Sequence, residues 1–277
     1  MSLVSPALLM STVRELPALP AVVVELMELL ERDDVVAEQL ASRISHDQAL
    51  TAKTLRLANS SFYGMPRRVV SVADAIAVLG LRTVRTMVTA AAVIGKPQTQ
   101  SREGFDLTAF WRHSIATAVC ARALAQALRT DPEAAFIVGL LHDIGRLVLV
   151  SSFAEPYALA LADQRERDAP MLDSERAVLG IDHALAGGLM AEHWRFSPAM
   201  VDAIKRHHEP SASGMSSLVH VADNIVHALD LSHLEDDAVP ALSAAAWLSL
   251  KLNETQCEQV FRQTEAQTDA VCEALLT

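Results

Sequence analysis

From residue 20 to residue 30, apolar side chains return at i, i+3, i+4 and i+7, the spacing of one helix face, before a charged break at 31–34. The same period runs through 35–44 and 49–58. Ser71 and Asp74 then form a variant of the capping-box spacing ahead of a short apolar segment, which Gly80 interrupts before the pattern resumes over 81–93. About five helices are expected before Gly95. Residues 97–104 replace apolar side chains with Gln, Thr, Ser and Pro and read as a linker. Beyond it the pattern predicts helices across 107–128. Asp131 and Pro132 follow as N-cap and first helical residue of the next one. Further helices are expected over 153–167, 174–194, 198–207, 215–229 and 240–252, with a last one from 254 onward. The expected fold is all-α, a helical bundle in two sub-bundles, 1–96 and 97–277.

Composition supports that class. The 277 residues are 51% hydrophobic and only 4% aromatic, rich in Ala and Leu, which favours helix over sheet. The formal charge of −11 argues against general adhesion to nucleic acid or an anionic membrane. The charge is uneven, however. Between residues 48 and 96, Lys53, Arg56, Arg67, Arg68, Arg82, Arg85 and Lys96 face a single acid, Asp74. Such a segment either neutralises the acidic remainder by packing or offers a docking face to an acidic partner or a phosphate. It also leaves nucleic acid as a local alternative.

Cys120, Cys257 and Cys272 are far apart and fit a reducing compartment better than a disulfide framework. No basic n-region precedes Arg14 and no run of about 18 uninterrupted apolar residues occurs, so a soluble, cytoplasmic protein without a membrane span is expected.

The chemistry concentrates at His142 and Asp143, adjacent ionisable residues inside an apolar run with no other charge until Arg146. Burying both costs free energy unless something pairs with them, and a divalent metal is the usual partner for adjacent imidazole and carboxylate. His113, His183, His207, His208 and Asp223 fall in similar settings and complete a candidate ligand set. Seven ligands exceed one tetrahedral site and suit a two-metal centre with a bridging carboxylate. His220 and His227 flank Asp223 at i−3 and i+4, so either could substitute for a ligand in this set. His46, His193 and His233 lack such context.

At these motifs the chain resembles the HD superfamily of metal-dependent phosphohydrolases. It resembles more closely an HDOD domain, the signalling branch related to the HD-GYP cyclic-di-GMP phosphodiesterases. Leu16-Pro17-Ala18-Leu19-Pro20, Asp47-Gln48-Ala49-Leu50-Thr51-Ala52-Lys53, 55–64 and 75–80 match the first half of HDOD domains. His113, His142-Asp143 and Asp223 match the HD pattern, and His183 and His207-His208 match the additional histidines of HD-GYP enzymes. The resemblance spans roughly residues 14–230. Two departures stand out. Arg146 occupies the place where the family's enzymes carry lysine; arginine clamps phosphate but is not a tunable acid. The Gly-Tyr-Pro motif is absent after Glu209, which argues against cyclic-di-GMP hydrolysis.

The resemblance implies a regulatory, signal-transducing protein that acts through a signalling partner or a nucleotide or phosphate ligand. It would hold one or two divalent transition-metal ions: iron, manganese, zinc or nickel. The alternative is a metal-dependent phosphohydrolase of a nucleotide or other phosphoester, with Asp143 and Arg146 as catalytic residues. A purely structural adaptor with an empty site is harder to reconcile with so many buried ligands.

Overall fold

The computed structural model describes residues 3–16, 41–42, 44–95, 104–233 and 239–277, and no β-strand occurs among the described residues. Most of the helices expected over 20–30 and 35–44, and all of the linker except Gly104, lie outside them. The chain packs as two units. The larger comprises Met1–Pro17 and Gln98–Phe261, the smaller Ala18–Pro97 and Arg262–Thr277. A single division at 96/97 therefore does not describe the packing, because each terminus joins the unit remote from it in sequence.

Local contacts show why. Helix α1 (Pro6–Glu15), which the hydrophobic pattern does not mark, is capped by Ser5 and started by Pro6. The Val4 amide donates to the Leu179 carbonyl at 3.0 Å, and Leu9 and Val13 are buried, so the segment belongs to the larger unit. In the smaller unit Asp47 caps α2 (Gln48–Ala58). Ser71 caps α3 (Val72–Leu79), and Gly80, at φ +86°, turns the chain into α4 (Leu81–Ile94). Lys53 donates to the carbonyls of Gly95 and Leu275, and Arg56 to that of Ala274, which ties the chain's last turn to this unit. Arg67 pairs with Asp74 at 3.0 Å. Part of the basic excess thus serves the unit's own packing.

The larger unit is built around α5 (Leu107–Ala127), capped by Asp106 and buried on almost every face. Against it pack α6 (Pro132–Leu141) and α12 (Met215–Ala228). Asp131 caps α6, as its spacing predicts. The run Pro132–Ser152 is long and apolar enough to cross a membrane, but 78% of its apolar 18-residue window is buried in the protein. It is also not one helix. α6 ends at Leu141, and α7 (Ile144–Ser152) begins after Asp143, so the chain breaks at the His142–Asp143 pair where the pattern suggests continuity. The cause is local: His142 Nδ1 donates to the Gly139 carbonyl at 2.7 Å, the acceptor a continuing helix would offer to the Asp143 amide.

α8 (Ala154–Arg167) follows as expected. The helix predicted over 174–194 is two: α9 (Met171–Val178) and α10 (His183–His193), parted at Gly180, whose φ is +81°. α11 (Pro198–Lys205) stops short of His207. The helix expected over 240–252 shortens to α13 (Ala244–Ser249), and α14 (Glu254–Leu276) ends the chain.

Candidate metal centre

Every candidate ligand lies in the larger unit, and most occupy helix ends. His113 projects from α5 and Asp223 from α12. His142 and Asp143 fill the break between α6 and α7, His183 opens α10, and His207 and His208 follow α11. The seven form two groups. Asp143 Oδ1 stands 3.6 Å from His142 Nε2, 3.2 Å from His183 Nε2 and 3.5 Å from His207 Nε2. His208 Nε2 lies 2.8 Å from His183 Nε2. Around Asp223 Oδ1 stand His113 Nε2 at 3.1 Å, His227 Nε2 at 3.3 Å and His142 Nε2 at 3.6 Å. His113 and His142 meet through their Nε2 atoms at 3.2 Å.

The tautomers follow from the acceptors behind the rings. A carbonyl only accepts, so Nδ1 of His142 (to Gly139) and of His207 (to Ile204, 2.7 Å) each carry the proton. His183 Nδ1 faces the Glu175 carboxylate at 2.6 Å and donates likewise. With the rings neutral, each would turn a bare Nε2 lone pair toward the same negatively charged oxygen of Asp143. That arrangement is repulsive unless a cation lies among the groups. Protonating all three adjacent rings would only exchange one repulsion for another. His207 Nε2 and Asp223 Oδ1 are buried and make no hydrogen bond. With metal–nitrogen bonds of about 2.1 Å, ligand atoms stand about 3.0 Å apart on an octahedral edge and about 3.4 Å apart on a tetrahedral one. The spacings here, 2.8 to 3.6 Å, bracket both values. The donor set fits a metal.

The electrostatics agree. Burial works to raise the carboxyls of Asp143 and Asp223, yet the surrounding histidines hold both well below the usual carboxylate range. Burial lowers His113, His207 and, most strongly, His208, which keeps these rings neutral and able to ligate. At His142 and His183 burial is outweighed: Asp143 and Asp223 raise His142, and Glu175 and Asp143 push His183 up to about 10. In the absence of a metal, a proton takes the cation's place there.

Close helix contacts assemble the groups. A Cβ on Gly145 would overlap the His183 carbonyl oxygen, and one on Gly139 would fall 2.8 Å from Ala118 Cα. The first contact sets α7 against α10 and so Asp143 beside His183; the second sets α6 against α5 and so His142 beside His113.

A cavity of about 630 Å³ opens onto Asp143, His183, His208 and Asp223. Arg146 lines it, held by Asp143 Oδ2 at 3.4 Å and by the Tyr157 hydroxyl at 3.2 Å, with its guanidinium over the Phe105 ring. Burial, offset by Tyr157 and Asp143, leaves Arg146 charged.

Two outcomes go beyond the sequence reading, and a third agrees with it. Of the two histidines that could have served as substitutes, His227 lies at the centre. His220 does not: its Nε2 accepts from the Ser243 amide at 2.9 Å, so its Nδ1 must donate to the His207 carbonyl. Glu175, which orients His183, was not singled out, because among Asp173, Ser174 and Arg176 nothing in sequence distinguishes it. His46 and His233 lie elsewhere, bonded to Ser42 and Arg112.

This fold and this convergence of histidine and aspartate define an HD-type helical domain. The model of the HDOD domain family matches residues 16–210, and the chain belongs to that family. Among solved structures, one from Shewanella amazonensis SB2B, named "putative phosphohydrolase", is 30% identical and aligns over 96% of both chains with a TM-score of 0.74. An HDOD domain protein from Geobacter sulfurreducens, of unknown function, is 22% identical over 98% of both chains with a TM-score of 0.79 and shares the fold. An uncharacterised protein of Treponema pallidum (strain Nichols) is 24% identical over 254 residues. The match covers 90% of this chain but 45% of that relative, so the chain spans less than half the relative's length.

Proposed function

We propose that the chain is an HDOD regulatory domain whose metal centre takes a phosphate-bearing ligand in the adjoining cavity and passes its occupancy to a signalling partner. One observation carries the reading: three imidazole Nε2 atoms, on rings fixed by their Nδ1 partners, face one buried carboxylate oxygen beside an open cavity. His113, His142, Asp143, His183, His207, His208 and Asp223 would hold one or two divalent ions. When bound, such ions would polarise a phosphoryl oxygen and supply a nucleophilic water near neutral pH. Arg146, already oriented by Tyr157 and Asp143, offers a fork of donors to a phosphate oxygen. The cavity side of Asp143 and Arg146 also favours the second reading, a phosphohydrolase. There Asp143 would help hold the metal and orient the nucleophilic water, and Arg146 would hold charge as it develops.

Elemental analysis of the purified chain beside His142→Ala/Asp143→Ala is the decisive experiment, followed by phosphate titration and a bis(p-nitrophenyl) phosphate assay. Metal and phosphate binding that the double variant loses support the regulatory site. Metal-dependent turnover, abolished by Asp143→Ala with the fold intact, selects the hydrolase. A wild-type chain that takes up no metal on reconstitution removes both readings.

A further inference from the structure

Resting on that metal-centre reading, we infer that His227 is an additional metal ligand which makes the two metal positions unlike. With His113, His142 and Asp223 it encloses one ion, while Asp143, His183, His207 and His208 hold another at the cavity. His227 follows Asp223 by four residues on α12, so both side chains leave the same helix face. Its Nε2 is 3.3 Å from Asp223 Oδ1, and its ring centroid is 4.7 Å from that of His113. One atom each from His113, Asp223 and His227 lies within 4.8 Å of the others, the reach of a single ion. Asp223 Oδ1 is buried without a hydrogen bond at the focus of these rings.

The two positions meet the cavity differently. Asp143, His183 and His208 of the second position line it, whereas of the first position only Asp223 does, and His113, His142 and His227 do not. A site closed by protein ligands retains its metal as a structural tie, and a site with an open face exchanges and binds ligand. His227 is the residue that closes the first position. Its side chain is 15% exposed and so stands at the edge of the cluster.

The test is zinc binding by the full-length chain, read as metal per chain and as release to a chromophoric chelator. Wild type is expected to hold about two equivalents, released in a fast and a slow phase. His227→Ala should keep about one and lose the slow phase, with the metal-free melting temperature unchanged. His208→Ala should lose the fast phase instead. If His227→Ala fails to fold, His227→Asn carries the same comparison. Unaltered stoichiometry and release in His227→Ala overturn the assignment, and so does loss of both ions from that variant. A wild-type chain without metal is a separate result that removes the metal centre as a whole.

Discussion

Glu175 is fully buried, and its Oε2 accepts two hydrogen bonds from one residue, the backbone amide and Nδ1 of His183. That pairing fixes both the start of α10 and the ring it presents. A carboxylate behind a ligating imidazole holds its tautomer and raises its basicity, and losing such a partner typically costs about 10- to 100-fold in metal affinity. Glu175→Gln keeps the shape but removes the charge. It is expected to weaken zinc binding by about that factor while the helical circular-dichroism signal stays that of wild type. Competition against a chelator measures the change; an affinity equal to wild type would show that His183 needs no oriented partner. Arg176, the next residue, binds Asp182 at 2.7 Å and Glu209 at 2.9 Å, so α9 braces the segments before His183 and after His208 together.

At the level of elements, the centre depends on how closely helices approach. Gly145 has no room for a methyl group against the His183 carbonyl and the Gly187 amide, and only backbone displacement could create it. Gly145→Ala should cost about 3 kcal/mol or more, the upper range for overpacking. It should also move Asp143 away from His183 and reduce metal uptake. Urea unfolding and metal content measure the two effects, and a variant as stable as wild type would refute the tight α7–α10 contact. Much of this was legible in sequence. The apolar period located α5, α8 and α12, and the ligand types in apolar settings located seven residues that do converge. The break at His142 was not legible, because Leu140, Leu141 and Ile144 continue a helical pattern while the interruption comes from an imidazole competing for the Gly139 carbonyl. Nor was the parting of α9 from α10, which lets His183 stand at a helix start beside Glu175 rather than inside a continuous helix.

Across the whole molecule, the centre lies entirely in one of two units, and its ligands come from stretches between His113 and His227. An ion bound there joins α5, α10 and α12 to the α6–α7 junction and the segment after α11, none of which can retain its full ligand geometry once unfolded. Metal binding at the proposed centre would therefore be folding free energy for the larger unit. At about 1,000 times its dissociation constant, a ligand specific to the native state adds about 4 kcal/mol. For a unit of this size that corresponds to a rise of roughly 10 °C in melting temperature. Among its described residues the smaller unit holds no member of the centre; its Lys53 and Arg56 bind main-chain carbonyls. Differential scanning calorimetry with and without chelator should therefore show the metal-linked shift in wild type. His142→Ala/Asp143→Ala should melt at the same temperature in both conditions. A wild-type chain that binds zinc but melts unchanged after chelation would mean that the binding groups stay assembled in the unfolded chain, which the sequence separation of His113 from His227 makes entropically costly.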